Sequence, residues 1–147
     1  MNLRGERHDI WPMLQGDAQL EMALVPHRVP PEGRTMKERD IEAYLVERIR
    51  ALGGEVRKVQ WPGRRNAPDR VVMLPTDVAT RLPYTSRSPT IWVELKNPVT
   101  VAKFPNTAHE RAQYREHRRM RRAGQHVEVI GTKEHVDFIF PLTGAGK

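Results

Sequence analysis

Three charged side chains stand where buried strands should carry none. Asp69 opens the run Pro68-Asp69-Arg70-Val71-Val72-Met73-Leu74, while Glu94 and Lys96 close the run Ile91-Trp92-Val93-Glu94-Leu95-Lys96. Both runs are apolar, β-branched and bounded by prolines, which predicts strands. A buried charge needs a compensating reason. Strand side chains alternate, so Glu94 and Lys96, two apart, share a face. In an antiparallel hairpin the start of the first strand lies beside the end of the second. Setting Asp69 opposite Glu94 centres the turn near Arg81 and Leu82, inside the polar, proline-containing segment from Pro75 to Pro89. Two carboxylates and an ammonium then converge on one point.

That donor set suits a hard divalent cation. Mg²⁺ takes few carboxylate oxygens and keeps several waters, so Asp69 and Glu94 suffice as side-chain ligands, with the Leu95 carbonyl as a third. A metal there polarises a phosphoryl oxygen and acidifies a water. Lys96 beside it orients that water or neutralises charge developing on a phosphate. An E-x-K triplet alone says little, because about a quarter of ordinary residues are charged. Its weight comes from the Pro-Asp strand and from the helix that precedes both.

That helix is predicted from Thr35, where Thr35-Met36-Lys37-Glu38 has the spacing of a capping box, to the stop at Gly53-Gly54. Ile41, Tyr44, Leu45, Ile49 and Leu52 recur at helical spacing and form a face that packs on a sheet. Glu42 has Leu45, Val46 and Ile49 as its surface neighbours, so it lies at the margin of the apolar stripe and is the helix acid best placed to point at the site. Glu55 to Trp61 reads as a partly exposed first strand. The turn-rich loop from Pro62 to Pro68 follows, and it sets Arg64 and Arg65 within reach of a phosphate backbone. After Asn97-Pro98 a second capping box, Thr107-Ala108-His109-Glu110, opens a helix to Ala123 with Gly124 as its stop. Arg111, Arg115, Arg118 and Arg122 form one stripe on it, widened by Arg119 and Arg121, with Glu110 and Glu116 as the only balancing acids. A solvated face and a nucleic-acid contact are equal readings of that stripe. Val127 to Ile130 makes a last strand and Thr132 to Phe140 a short final helix, giving the order α-β-β-β-α-β-α.

The chain has 147 residues, enough for one domain with a real core. Its 25 Lys and Arg against 18 Asp and Glu give a net charge of +7, which favours phosphate polymers as partners. No apolar run approaches a membrane span, and Arg4, Glu6, Arg7 and Asp9 leave no signal-peptide core, so the expectation is a cytoplasmic protein. The absence of cysteine excludes disulfides, thiolate metal sites and cysteine nucleophiles. Residues 1–34, broken by Pro12, Pro26, Pro30 and Pro31, read as an arm with one short helix from Asp17 to Val25, and 141–147 as a tail. Other chemistries fall away. His109-Glu110 starts like a zinc-protease helix, but position 113 is Gln, and no P-loop, dinucleotide fingerprint or nucleophile elbow is present. The remaining histidines are dispersed and read as structural or exposed.

Glu38-Arg-Asp-Ile-Glu42, Gly53-Gly54, Lys58, Pro68-Asp69-Arg70, Val93-Glu94-Leu95-Lys96 and Gln113, in that order, resemble the VRR-NUC (virus-type replication-repair nuclease) domain of the PD-(D/E)XK superfamily over residues 35–140. The resemblance implies a restriction-endonuclease-like α/β core, α-β-β-β-α-β, with a central mixed sheet flanked by helices. It implies Asp69 and Glu94 as metal-binding acids, Lys96 as catalytic lysine, Glu42 as helix glutamate and Gln113 as a further site residue. Lys58 and Arg70 fall within its motifs and are expected to join Arg64, Arg65 and the helix arginines on DNA. The implied activity is Mg²⁺- or Mn²⁺-dependent hydrolysis of DNA, structured or branched, by a phage-like junction-resolving homodimer. The alternative is a non-catalytic nucleic-acid-binding protein of the same fold. Two features depart from the family: Asn66 stands where a glycine is usual, tolerable because Asn accepts positive φ, and the segment from Pro75 to Pro89 is long enough to unsettle the hairpin register.

Overall fold

Period-two burial and helical periodicity meet along one central sheet in the computed structural model, which describes residues 35–142. Helix α1 (Glu38–Ala51) buries Ile41, Tyr44, Leu45 and Ile49. Strands β1 (Glu55–Lys58), β2 (Arg70–Met73), β3 (Thr90–Leu95) and β4 (His126–Ile130) lie side by side in that order among the described residues. β1 to β2 and β2 to β3 are antiparallel, and β3 to β4 is parallel. A parallel neighbour requires a crossover, supplied here by helix α3 (Ala108–Arg122). Helix α4 (Lys133–Ile139) closes the described chain and packs against α1.

The hairpin register is the one that the charges required. Arg70 pairs with Val93 and Val72 with Ile91, so the same register carried back one residue sets Asp69 opposite Glu94. The long connection does not disturb it, because it is structured. A short helix α2 (Thr76–Ala79) and a 3₁₀ turn (Pro83–Thr85) bury Val78, Ala79, Leu82 and Thr85, so this segment is an extension of the core.

Alternation then divides the sheet. Ile91, Val93 and Leu95 are buried with Val72 in one cluster that includes Ile41, Leu45 and Ile49 of α1 and Val136 and Ile139 of α4. Trp92, Glu94 and the following Lys96 point to the opposite face, where α3 lies: Gln113 of α3 hydrogen-bonds both Glu94 and Lys96.

Several boundaries differ from the sequence reading. α1 starts at Glu38, not Thr35, because the carboxylate of Asp40 accepts the Lys37 N–H at 2.8 Å and so caps the helix two residues later than the Thr35-to-Glu38 pattern suggested. β1 ends at Lys58 rather than Trp61; the Trp61 indole turns back to donate to the Pro68 carbonyl at 2.7 Å. The second capping box forms as expected, Glu110 N–H donating to Thr107 Oγ1 and Thr107 N–H to Glu110 Oε2. Gly53 takes φ +85° after α1, and Gly54 N–H returns to the Ile49 carbonyl at 2.9 Å, which ends the helix. Asn66 adopts φ +68°. The arm expected over 1–34, with its short helix, and residues 143–147 of the tail lie outside the described residues.

Candidate active site

Glu94 occupies the buried end of β3 and is 8% exposed. Its Oε1 accepts from Gln113 Nε2 at 2.6 Å and lies 3.3 Å from Lys96 Nζ. Lys96 Nζ also donates to Gln113 Oε1 at 2.6 Å, so acid, amide and ammonium form a closed triangle. The Phe104 ring lies 5.3 Å beneath the same ammonium, an added cation–π contact. Burial pushes the Glu94 carboxyl above the ordinary carboxylate value; Lys96 and Gln113 oppose the shift, and the nearby charge of Asp69 adds to it.

Asp69 is the open partner, its side chain 54% exposed. One of its oxygens lies 2.8 Å from Arg70 Nη1, and Arg70 Nε donates to Glu42 Oε1 at 2.8 Å. A single guanidinium therefore links the helix glutamate to the strand aspartate. Arg70 itself is 7% exposed, so the structure places it under the site, not on a DNA-facing surface, because its register position faces α1. Glu42 reaches the site through Arg70.

The Leu95 carbonyl is turned the same way. Lys96 N–H donates to the Ile130 carbonyl of β4 at 2.9 Å. A trans peptide points its C=O away from its N–H, so the Leu95 oxygen faces the β2 side, where Pro68 has no N–H to offer. Two carboxylates and this carbonyl are hard oxygen donors, and a buried acid with a raised proton affinity beside a second acid is the arrangement that a divalent cation relieves. These residues fit Mg²⁺ or Mn²⁺. Among the described residues no group of three or more His, Cys, Asp or Glu side chains is arranged to hold a metal, which leaves zinc-type cages aside but not a two-carboxylate site completed by water.

The chain is similar to known proteins in sequence and in fold. A solved structure described as a "VRR_NUC domain" is 38% identical, with a TM-score of 0.51, covering 69% of this chain and 91% of that one. The "Putative nuclease p44" of Acyrthosiphon pisum secondary endosymbiont phage 1 is 34% identical over 101 residues, which are 69% of this chain and 89% of that protein. The chain belongs to the VRR-NUC nuclease family. No family model matches it. The VRR-NUC fold accounts for the mixed four-stranded sheet with flanking helices, and no described helix is long and apolar enough to cross a membrane.

The basic residues are distributed unevenly around this VRR-NUC site. Lys58, Arg65, Arg111, Arg115, Arg118 and Arg122 are exposed, Arg111 being held by the Asn106 carbonyl. Arg64 is tied to Glu116. The inward face of α3 is polar throughout, formed by Gln113, Glu116 and His117. Sequence reasoning counted Glu116 only as a balancing acid and did not single out His117 or Phe104. The signal available was the i, i+3, i+4 spacing of Gln113, Glu116 and His117, which puts all three on one stripe.

His117 is fully buried and stacked on Phe104 with ring centroids 6.1 Å apart, and neither ring nitrogen has a hydrogen-bond partner among the described residues. Burial, then the charges of Arg121 and Lys96, push its pKa down from 6.5 to about 4, against a smaller opposing pull from Glu116. A depressed histidine stabilises the folded chain above the unfolded pKa and loses that contribution as pH falls through the folded one. The shift corresponds to roughly 3 kcal/mol once protonation is complete. The urea midpoint of the wild type should therefore fall between pH 6.5 and 4, and His117→Leu should flatten that part of the profile. An equally steep profile in the variant would assign the acid sensitivity to other groups.

Proposed function

We propose that this nuclease hydrolyses phosphodiester bonds in DNA, branched DNA foremost, with Mg²⁺ or Mn²⁺ held by Asp69, Glu94 and the Leu95 carbonyl, as a homodimer in the cytoplasm, that of the host if the chain is viral. The observation that carries this reading is the hairpin register: it sets an exposed Asp69 opposite a buried Glu94 with Lys96 Nζ 3.3 Å from the latter. The bound cation supplies Lewis-acid polarisation of the phosphate and a lowered pKa for a coordinated water.

The chain's own residues do the rest. Gln113 fixes the rotation of Glu94 by holding Oε1, and Glu94 would hold the cation through its carboxylate. Arg70, braced by Glu42, orients the Asp69 carboxylate. Lys96, kept in place by Gln113 and Phe104, sets a positive charge where the phosphoryl oxygens gain negative charge. The water oxygen bonds to phosphorus as the bond from phosphorus to the leaving sugar oxygen breaks; the attacking water gives up a proton to solvent, and the leaving oxygen takes one from solvent to become a hydroxyl. Arg115, Arg118 and Arg122 along α3, with Lys58 and Arg65, offer exposed charge for backbone phosphates. The preference for branched substrates and the dimer follow from family resemblance and from the small size of one domain beside a four-way junction.

The test is incubation with duplex, flap, single-stranded and four-way DNA in Mg²⁺, Mn²⁺ or chelator, with the mass measured by light scattering. Cleavage strongest on branched substrates, abolished by chelator, with a dimeric mass, is the expected result. Binding without cleavage in either metal would favour a non-catalytic DNA-binding protein instead, and a monomer with full activity would remove the dimer.

A further inference from the structure

An acid on an arginine-rich helix should face solvent, yet Glu116 is 3% exposed. It lies three residues beyond Gln113 on the inward face of α3, about 4.5 Å further along the axis. Both of its oxygens are occupied by guanidinium. Arg64 makes a bidentate pair, Nε to Oε1 at 2.6 Å and Nη2 to Oε2 at 3.0 Å. Arg119 adds Nε and Nη2 to Oε2 at 2.9 and 2.6 Å. The carboxylate is dry while its partners are wet: the Arg64 and Arg119 side chains are 53% and 57% exposed.

Ion pairs between exposed side chains contribute little to stability. Here a buried acid immobilises two exposed forks of five donors each, and four hydrogen bonds to Glu116 leave most of those donors for another acceptor. The three groups sum to one positive charge. Their location ties them to the site twice over. Arg64 belongs to the loop that runs directly into Pro68-Asp69, and Glu116 is one turn from the glutamine that holds Glu94.

We propose that Glu116 is a positioning residue that holds Arg64 and Arg119 as a paired-guanidinium clamp on the phosphate adjacent to the one cleaved. The inference rests on phosphodiester hydrolysis at Asp69 and Glu94. The clamp pre-orders two long side chains before DNA arrives, so their rotamer entropy is lost on folding and not on binding. Bidentate guanidinium geometry, rather than charge alone, is what it contributes.

The experiment measures affinity for a fluorescent duplex oligonucleotide in chelator, and KM and kcat separately in Mg²⁺. Glu116→Gln adds one positive charge, which by bulk electrostatics tightens DNA binding. The clamp requires the opposite: Kd and KM rising about five- to tenfold, with kcat within about twofold. Arg64→Lys and Arg119→Lys each keep the charge and leave the other arginine on Glu116, and each should raise Kd about threefold or more. Combining Glu116→Gln with Arg64→Lys should add less than the product of the two effects. A Glu116→Gln protein with a wild-type melting temperature that binds as tightly as wild type, or tighter, overturns the clamp. If Glu116→Gln does not fold, the lysine variants decide, and wild-type affinity in both overturns it. Absence of wild-type cleavage in Mg²⁺ and Mn²⁺ would count against the proposed reaction, while the chelator binding series would still decide the clamp.

Discussion

Asp69→Asn and Glu94→Gln should each reduce cleavage by on the order of a thousandfold or more, with DNA affinity nearly unchanged. Each keeps the shape and removes the charge that the proposed cation would need, while the arginines proposed to meet DNA, such as Arg115 and Arg118, are exposed residues of α3. Catalysis depends on groups that act in the transition state, whereas affinity depends on the basic surface. The second half of the expectation concerns stability in chelator. Glu94 is pushed above its ordinary value chiefly by burial. A raised acid contributes to folding below its unfolded pKa and loses that contribution as pH rises through the folded value. Glu94→Gln should therefore melt at or above the wild-type temperature at neutral pH, with the difference fading as pH falls toward about 4.5. Wild-type cleavage by Asp69→Asn in Mg²⁺ would remove the site.

Arg48→Ala should be strongly destabilising, although Arg48 takes no part in the proposed chemistry. Its guanidinium, 3% exposed, reaches from α1 to α4: Nη2 to Asp137 Oδ1 at 2.7 Å and Nη1 to the Phe140 carbonyl at 2.8 Å. The Tyr44 hydroxyl donates to the same Asp137 oxygen. Burial already pushes the Asp137 carboxyl up despite both partners. Truncating the arginine strands that acid in the core and costs about 3–5 kcal/mol, a large share of the roughly 5–15 kcal/mol that holds a domain together. The double variant Arg48→Met, Asp137→Leu should recover most of the loss, because replacing both charges removes the burial penalty with the attraction. Chemical unfolding of both variants checks this, and a double variant as weak as Arg48→Ala would show that packing, not charge, is at stake.

Both results bear on what the sequence reveals. The hairpin and its register were legible because Asp69, Glu94 and Lys96 break an apolar, period-two pattern at positions that only one pairing brings together. Helix α1 was legible from apolar spacing and α3 from the Thr107 cap, whereas the short α2 lay hidden in the segment read as a turn. Arg48 and Arg70 were not recognisable as buried, because a charged residue carries no local mark of a distant partner: Asp137 lies 89 residues from Arg48 and Glu42 lies 28 from Arg70. The inward face of α3 was hidden for a related reason. Gln113, Glu116 and His117 are polar, and hydrophobic periodicity is blind to a helix that packs its polar side onto a site.

The crossover through α3 has a consequence for how the chain reaches activity. β2 and β3 can pair once their connection collapses, which sets Asp69 beside Glu94 early. Glu94 acquires Gln113, and Lys96 its final position, only when α3 has docked and β4 has been laid parallel to β3, a long-range step whose entropy is paid before its contacts form. A partly folded chain therefore holds both acids yet lacks the glutamine lock that orients them. Nuclease activity should be a property of the completed domain alone, appearing in a refolding reaction after the hairpin has formed, and a nascent or damaged copy should stay inert toward the DNA around it.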